Sequence, residues 1–368
     1  MGFRDYYRQY DDLDERELNR ERRARREHEK RLALQRLPDL DLSGTEWPDL
    51  PHSEVVNAAI ARARGLVNRY PDRHAAGVRR LLADRHAIAP ERIALGNGAA
   101  ELLQAAALVL LGRGDELAMP WPSYPLYPLM AARAGAKPVA VEGPEELAAA
   151  VTARTRAIAI CNPNDPTGEY WPSARLAELL AGLPDGVHVL LDEALVHFQD
   201  AEDRDACLRL TGDHANLTVF RTFSKIYGLS GLRAGYAVGG STELLDAIAP
   251  VLGVNALTQS AVVQALKIGG PEVERRREAV LRERARLMAG LRDLPVEVTD
   301  SQANFVWLAA PGMSGAELAS RLRERGVIVA PGGPLGADDH VRATIRDAVA
   351  TDRLLDALDR VAGGQSSG

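Results

Sequence analysis

Short apolar runs alternate with amphipathic helical stretches along most of this chain, from about residue 53 onward. Seven runs have the length and composition of buried strands: "RIAL" (92–95), "ELAMP" (116–120), "KPVAVE" (137–142), "AIAIC" (157–161), "VHVLLDE" (187–193), "LTVFRTFS" (217–224) and "RAGYAV" (233–238). Amphipathic stretches such as "AAELLQAAALVLLG" and "SARLAELLAGL" lie between them. This alternation predicts an α/β fold, in which a mostly parallel seven-stranded sheet carries helices on both faces.

The pattern changes after about residue 270. A long charged helix, "PEVERRREAVLRERARLMAGLRDL", precedes the short segments "VEVTD", "NFVWLAA", "GAELASRLRERG", "VIVA" and "HVRATIRD". This order predicts a smaller α+β domain over residues 271–368, ending in a short flexible tail, beside a large domain over residues 37–270. Residues 1–36 stand apart, because they contain 11 Lys/Arg and 9 Asp/Glu, many of them opposite charges three or four positions apart. They predict a charged helical extension, which either wraps a partner subunit or forms a mobile arm.

Composition and charge exclude several classes of protein. Of the 368 residues, 46% are hydrophobic, and the net charge of −6 comes from interspersed charges without a basic patch. The longest nearly apolar run, "LLQAAALVLL", is too short to span a bilayer, and the start of the chain lacks the apolar stretch of a signal peptide. Cys161 and Cys207 lack metal-type spacing and are typical of packing thiols in a reducing compartment. We therefore expect a cytoplasmic protein that binds no nucleic acid, membrane or metal.

Polar motifs follow several of the predicted strands, at the edge where open α/β sheets bind ligands. "LGNGAAE" (95–101) is a Gly-rich turn into a helix whose free N–H groups can hold an anion, although such a motif is usually only a turn. "CNPNDPTGEY" (161–170) carries polar side chains on a backbone that two prolines restrict. "LLDEAL" (190–195) places Asp192 after an apolar run, where a carboxylate needs a cationic or N–H partner. By itself, Asp192 fits a helix cap or a structural salt bridge better than a functional role.

Lys225, in "RTFSKIYGLSGLRAGY" (221–236), lies where a buried strand runs into a turn. A desolvated lysine has a lowered pKa and can form a Schiff base with a carbonyl compound. Thr222, Ser224 and Arg233, together with the Gly-rich helix start, form an anion site suited to a phosphorylated aldehyde. A carboxylate such as Asp192, which could pair with a protonated ring nitrogen, narrows the ligand to pyridoxal 5′-phosphate (PLP). Each motif is ambiguous alone, but four of them in this order indicate a PLP site.

The motifs "TFSKIYGLSGLRAGY", "CNPNDPTG", "LDEAL", "GNGAAELL" and "VRATIRD" resemble those of fold-type I PLP-dependent aminotransferases. The branch that this chain resembles is class I/II, similar to histidinol-phosphate aminotransferase, and the resemblance runs from about residue 50 to 360. It implies a two-domain protomer and a homodimer whose active sites lie at the subunit interface. The implied reaction moves an amino group between an α-amino acid and a 2-oxo acid or related carbonyl compound, in amino-acid or specialised-metabolite biosynthesis.

The resemblance also implies roles for individual residues. Lys225 would carry the cofactor as a Schiff base and move a proton between the substrate Cα and the cofactor, while Asp192 would pair with the pyridinium nitrogen. The implied phosphate ligands are Gly98, Ala99, Thr222, Ser224 and Arg233. Tyr124, in "WPSYPLY", would stack on the cofactor ring. The alternative is that Tyr124 only packs at an interface. Arg342, in "VRATIRD", would clamp the substrate α-carboxylate bidentately, and the alternative is a solvated surface arginine.

The sequence departs from the family pattern at the positions that contact the cofactor's O3′ and at the positions that contact the substrate. Asp165 replaces the asparagine of "NPNNPTG" and Leu195 replaces the tyrosine of "DEAY", so both usual O3′ donors are changed. Asn164 would supply a donor only if the loop is shifted by one position. "LSGTEWPDLPH" replaces the usual substrate-binding motif, and Ala330 in "GVIVA" replaces an arginine of phosphate-binding relatives. We therefore expect a substrate with a free α-carboxylate and no phosphate.

Three functional interpretations stay open at this point. The first is an aminotransferase. The second is a PLP-dependent decarboxylase or oxidase on the same scaffold, which the altered O3′ ligands favour. The third is a non-catalytic relative, against which the joint retention of Lys225, Asp192 and Arg233 argues.

Overall fold

The computed structural model describes residues 38–362, together with residues 19, 20, 22–26 and 28. The described residues before residue 38 are helical and exposed. The remainder of the predicted N-terminal extension and the predicted tail after residue 362 lie outside the described residues. The roles proposed for both segments therefore stay predictions.

Strands and helices alternate through most of the described chain. The strands are β1 (Leu40–Asp41), β2 (Ile93–Gly96), β3 (Glu116–Pro120), β4 (Lys137–Val141), β5 (Thr155–Cys161), β6 (His188–Asp192), β7 (Leu217–Thr222), β8 (Gly235–Gly239), β9 (Glu297–Val298), β10 (Phe305–Ala309), β11 (Val327–Ile328), β12 (Ala330–Pro331) and β13 (His340–Thr344). The α-helices from residue 53 onward are α1 (Ser53–Leu66), α2 (Ala76–His86), α3 (Ala99–Leu110), α4 (Leu126–Arg133), α5 (Ser173–Gly182), α6 (Ala206–Arg209), α7 (Thr242–Ile248), α8 (Ala256–Ile268), α9 (Gly270–Leu291), α10 (Gly315–Arg323) and α11 (Ala348–Ala362).

The seven predicted strands form one sheet, in the order β2-β8-β7-β6-β5-β3-β4. Its neighbouring strands are parallel, except where β8 pairs with β2 and with β7. β8 begins at Gly235, two residues later than predicted. The reason is that Arg233 has a φ of 53°, in the left-handed region, which interrupts an extended strand. The prediction of a mostly parallel seven-stranded sheet is confirmed.

Helices cover both faces of this sheet, as β6 illustrates. Successive side chains of a strand point to opposite faces. Val189 and Leu191 pack in one buried cluster with Leu176 of α5, whereas Leu190 packs in another with Leu102 of α3. A strand buried on both faces reads as a continuous apolar run, which is why the run before Asp192 was recognisable.

The C-terminal part of the chain forms a four-stranded antiparallel sheet, in the order β12-β13-β10-β9. The long helix α9 begins at Gly270, next to the predicted domain boundary. β1 pairs in parallel with β11, and the Thr344 N–H donates to the Leu42 carbonyl at 2.9 Å. Residues 40–42 therefore join C-terminal elements, although the sequence analysis groups them with the large domain. The domain division itself stays a prediction.

No helix in the described ranges is both long and apolar enough to cross a membrane. Within those same ranges, His, Cys, Asp and Glu side chains form no group of three or more that could hold a metal ion. Cys161 and Cys207 are both free and buried.

Candidate active site

The carboxyl ends of the central strands surround one cavity. β5, β6 and β7 end at Cys161, Asp192 and Thr222, and Gly235 of β8 pairs with both Thr222 and Gly96. These ends border a cavity of about 210 Å³. The predicted site residues that line it are Ala99, Tyr124, Asp165, Asp192, Thr222, Ser224, Lys225 and Arg233. The sheet topology thus brings together motifs that are far apart in the sequence.

Lys225 follows β7 in a turn, which a 2.9 Å hydrogen bond from the Gly228 N–H to the Lys225 carbonyl closes. Its Nζ donates to Thr45 Oγ1, from the segment that replaces the family's usual substrate-binding motif. Burial lowers the pKa of Lys225, and this effect is opposed chiefly by the Asp165 carboxylate and also by Glu46. Burial therefore makes the neutral, nucleophilic form of this amine easier to reach than in an exposed lysine. Thr45 and Glu46 are site residues that the sequence analysis missed.

Asp192 lies at the buried floor of the cavity, with 3% of its surface exposed. Burial raises the pKa of Asp192 to about 6, while hydrogen bonds from the Ala194 N–H (3.0 Å) and the Tyr127 hydroxyl (3.3 Å) favour the ionised carboxylate. Asp192 also lines the cavity, so a cation bound there would lie next to its carboxylate. Tyr127 was not predicted from the sequence; it lies in the first turn of α4, three residues after Tyr124, and its N–H donates to the Tyr124 carbonyl at 3.1 Å.

A cradle for an anion lies at the N-terminus of α3. The first N–H groups of a helix have no partner within the helix and attract anions. Gly98 precedes α3 with a φ of 92°, and a Cβ there would collide with the Arg233 guanidinium. Arg233 donates to the Ser230 carbonyl at 3.0 Å and to Ser224 Oγ at 3.3 Å. Guanidinium, hydroxyl and helix-terminal N–H groups thus converge where only glycine leaves space for them.

Tyr124 and Asn164 have different positions relative to the cavity. Tyr124 lines the cavity and packs edge-on against Tyr127, with ring centroids 5.9 Å apart. Asn164 is turned away from it. Its amide oxygen accepts from the Ser123 hydroxyl at 2.7 Å, and its amide nitrogen donates to Thr167 Oγ1 and the Pro122 carbonyl, both at 3.0 Å. The structure therefore brings Asp165 to the cavity and leaves Asn164 outside its lining.

Arg342 and Asp165 form an ion pair that the sequence analysis did not predict. Arg342 Nη1 lies 2.5 Å from Asp165 Oδ1, and both residues are buried. Arg342 Nη2 donates to the Ser43 carbonyl at 3.0 Å, and the guanidinium lies 5.4 Å from the Phe305 ring centroid. The alternative of a solvated surface arginine is therefore wrong for Arg342.

The residues of this cavity fit PLP. The phosphate requires a cation with N–H and hydroxyl donors, which the Arg233 cradle provides and a Cβ at Gly98 would obstruct. A pyridine nitrogen that carries a proton requires a carboxylate, and Asp192, at the carboxyl end of β6, lines the same cavity as the cradle. Lys225 provides the amine. When bound there, the cofactor supplies an aldehyde and an electron-withdrawing ring.

Comparisons with known proteins agree with this geometry. The family model for aminotransferase class I and II matches residues 38–358. The chain belongs to this family. This aminotransferase is 38% identical to the aromatic amino acid aminotransferase of Corynebacterium efficiens, over 88% of this chain and 94% of that relative. It is 39% identical to the enzyme of the same name from Mycobacteroides abscessus, over 82% and 87% of the two chains.

A solved structure supports the same conclusion. Histidinol-phosphate aminotransferase from Sinorhizobium meliloti, in complex with PLP, matches with a TM-score of 0.77 at 26% identity, over 90% of this chain and 94% of that one. Enzymes of this family depend on PLP. This aminotransferase is therefore a PLP-dependent enzyme that moves an amino group between an α-amino acid and a 2-oxo acid. The predictions of family, cofactor and reaction are confirmed.

Proposed function

We propose that this aminotransferase acts on aromatic α-amino acids that carry a free α-carboxylate and no phosphate. The two relatives named above, at 38% and 39% identity, are aromatic amino acid aminotransferases. The relatives support the aromatic side chain, and the pairing of Arg342 with Ala330 across two strands is the observation that supports a free carboxylate without a phosphate. The buried guanidinium of Arg342 suits a carboxylate, because the two groups can form parallel hydrogen bonds.

Ala330 of β12 lies directly opposite Arg342 of β13. Side chains of directly paired strand residues lie on the same face, with Cβ atoms about 4.5–5.5 Å apart. An arginine at position 330 would therefore add a second cation beside Arg342, and alanine adds none. A phosphate carries more charge than one guanidinium can neutralise, and burying the remainder is costly. This arrangement supports a carboxylate as the ligand of Arg342.

In this proposal, Lys225 acts first as a nucleophile and then as a proton carrier. Lys225 Nζ would hold the cofactor at its aldehyde carbon, where the bound cofactor would supply the aldehyde and the electron-withdrawing ring. The same Nζ would hold and move the proton of the substrate Cα. The burial that lowers the pKa of Lys225 supports this role, because a neutral amine can accept the proton.

The remaining residues would bind and orient the cofactor. Gly98, Ala99, Thr222, Ser224 and Arg233 would hold the phosphate. Tyr124 would stack on the ring, since its side chain lines the same cavity as the phosphate cradle and Asp192. Ionised Asp192 would keep the ring nitrogen protonated, which maintains the ring's capacity to withdraw electrons.

Steady-state kinetics test the substrate assignment. We expect kcat/KM for phenylalanine, tyrosine and tryptophan to exceed that for aspartate and for histidinol phosphate by about tenfold or more. Arg342→Lys should lower kcat/KM for every amino acid, because lysine keeps the charge and loses the bidentate contact. Turnover of histidinol phosphate well above that of free amino acids would contradict the proposal.

We also propose a cytoplasmic homodimer, as the family resemblance implies. Apolar side chains on and after α1 are exposed, among them Ile60 (45%), Val67 (73%) and Tyr70 (85%). Exposed apolar surface of this kind is typical of protein interfaces. Sedimentation at micromolar concentration should give twice the chain mass, and Val67→Asp should shift the protein toward a monomer. A monomeric wild type would contradict the dimer. The two buried free thiols support a reducing cytoplasm.

A further inference from the structure

Asp165 forms an ion pair with Arg342, the residue proposed to bind the substrate carboxylate. Arg342 Nη1 lies 2.5 Å from Asp165 Oδ1, and the two residues are 9% and 8% exposed. Arg342 Nη2 donates to the Ser43 carbonyl, and the buried Nε has no hydrogen-bond partner among the residues that the structure describes. The guanidinium proposed to bind the substrate carboxylate is therefore already neutralised by a carboxylate of the chain itself.

Asp165 also stands where the substrate must arrive. Its side chain lines the cavity together with Lys225 and Tyr124. The preceding residue, Asn164, points the opposite way, and its amide is held by Ser123 and Thr167. The loop thus presents the Asp165 carboxylate to the cavity, with Arg342 in contact with it.

A substrate carboxylate cannot simply be added to this pair. Bidentate binding uses two N–H groups of the guanidinium, and Asp165 already accepts from Nη1. A second carboxylate brought to the same guanidinium would also be repelled by the first, and the buried position weakens screening by solvent. One carboxylate must leave before the other can bind.

We propose that Asp165 competes with the substrate α-carboxylate for Arg342 and thereby sets the affinity of the enzyme for its substrate. The inference rests on the proposed function, in which Arg342 binds that carboxylate. Every α-carboxylate ligand must displace Asp165 from Arg342, and the free-energy cost of this displacement weakens the binding of all such ligands by a common factor. A common factor leaves the ratio of affinities between two α-carboxylate ligands unchanged, so Asp165 sets the absolute affinity for these ligands and not the selectivity among them.

The alternative is a purely structural ion pair that fastens the loop after β5 to β13. A buried pair of this kind would lose stability when one partner is removed. It would have no reason to discriminate between a carboxylate and a neutral ligand of the same shape. The experiment therefore compares the affinities of a negatively charged ligand and of a neutral ligand of the same shape.

Calorimetric titration of the holoenzyme with 3-phenylpropanoate and with its neutral amide, 3-phenylpropanamide, tests the proposal. Asp165→Asn should bind 3-phenylpropanoate about tenfold more tightly than wild type, and should bind the amide with unchanged affinity. Asp200→Asn is the matched control, because it removes one carboxylate from an ion pair with another buried arginine, Arg284, and neither residue lines the cavity. Its effect should be smaller than twofold. Cofactor content and melting temperature are measured for each variant.

Three results would overturn the inference. The first is no gain in carboxylate affinity in Asp165→Asn, the second is an equal gain for the amide, and the third is an equal gain in Asp200→Asn. Arg342→Ala separates the two proposals. If it leaves the affinity of the wild type for 3-phenylpropanoate unchanged, Arg342 does not bind the carboxylate and the proposed function fails. If Arg342→Ala loses that affinity while Asp165→Asn gains none, the competition alone is wrong.

Discussion

The Tyr127 hydroxyl donates a hydrogen bond of 3.3 Å to Asp192 Oδ2 at the floor of the cavity. Tyr127 is fully buried on α4, and Asp192 ends β6, so the contact joins two elements that the sequence separates by 65 positions. Burial raises the pKa of Asp192 to about 6, and this hydrogen bond acts in the opposite direction. Tyr127 is therefore a positioning residue that helps to keep Asp192 ionised near neutral pH.

Tyr127→Phe should weaken PLP binding by roughly fivefold at pH 7, the effect of losing one modest hydrogen bond. The loss should grow toward pH 6, because the pKa of Asp192 rises and a larger fraction of the carboxyl is neutral. Fluorescence titration of cofactor-free protein with PLP at several pH values measures both effects. Tyr124→Phe is the control, since it keeps an aromatic ring in the cavity and leaves the Tyr127 contact intact. A loss that is equal at every pH would contradict this role.

The stability of the cofactor-free protein should depend on Asp192. The pKa of Asp192 in the folded state is about 6, above the ordinary value of 3.8. Between these values the folded state holds a proton that the unfolded state has lost, so stability falls as pH rises through this range. Relative to Asp192→Asn, the free energy of unfolding of the wild type should fall by up to about 3 kcal/mol between pH 4 and pH 7. Urea unfolding at pH 4.5, 5.5 and 7 measures the difference, and parallel curves for the two proteins would contradict it.

The sheet and most of the cavity were predictable because their signals are local. β6 is buried on both faces, so its sequence is a continuous apolar run, and the first charged residue after it marks the strand end. The ends of parallel strands lie at one edge of a sheet. Thr222, Ser224 and Lys225 therefore had to lie near Asp192 once the strands were recognised.

The contacts that were missed join distant parts of the chain. Lys225 meets Thr45 across 180 positions, and Arg342 meets Asp165 across 177. Nothing in the local pattern around either residue specifies such a partner. β1 and β11 contain two residues each, which is too short for any periodicity to show. The packing of residues 40–45 against the C-terminal strands depends on these contacts, and so it became visible only in three dimensions.

Lys225 should be the residue that binds the cofactor covalently. The purified protein should be yellow, and borohydride reduction followed by peptide mapping should place the label on Lys225. Lys225→Ala should lose both the colour and the label, because the amine is absent. Lys267→Ala, at an exposed lysine on α8, should retain both. A label on any other lysine would overturn the assignment.

Ala330→Arg should let the enzyme accept a phosphorylated substrate. The new side chain would lie opposite Arg342 and add a second cation to the same face of the small sheet. We expect kcat/KM for histidinol phosphate to rise about tenfold, since a charge-assisted contact is worth more than about 1 kcal/mol. Ala330→Gln is the control of similar size without charge, and it should give no rise. An equal rise in both variants would show that size, not charge, determines the effect.

Leu195 and Asp165, which replace the two usual O3′ donors, should change the pH at which the linkage between Lys225 and the cofactor loses its proton. Leu195 is buried and lines the cavity, and it has no group that can donate a hydrogen bond to the cofactor's O3′. Asp165 is held by Arg342 as an acceptor. Asn164 is committed to the Pro122 carbonyl and to Thr167, so the rotation that could supply a substitute donor would break both contacts.

Without donors to O3′, its negative charge is less stabilised and the proton at the Lys225 nitrogen is held more firmly. We therefore expect the yellow, protonated form to persist above neutral pH. Leu195→Tyr should lower the midpoint of the absorbance titration by about one pH unit, equivalent to about 1.4 kcal/mol. Leu195→Phe is the control, because it adds the ring without the hydroxyl and should leave the midpoint unchanged. Asp165→Asn should lower it as well, since an amide can donate where an ionised carboxylate cannot. If the wild type loses its yellow band at or below neutral pH, and neither Leu195→Tyr nor Asp165→Asn lowers the midpoint, O3′ ligation does not control this proton.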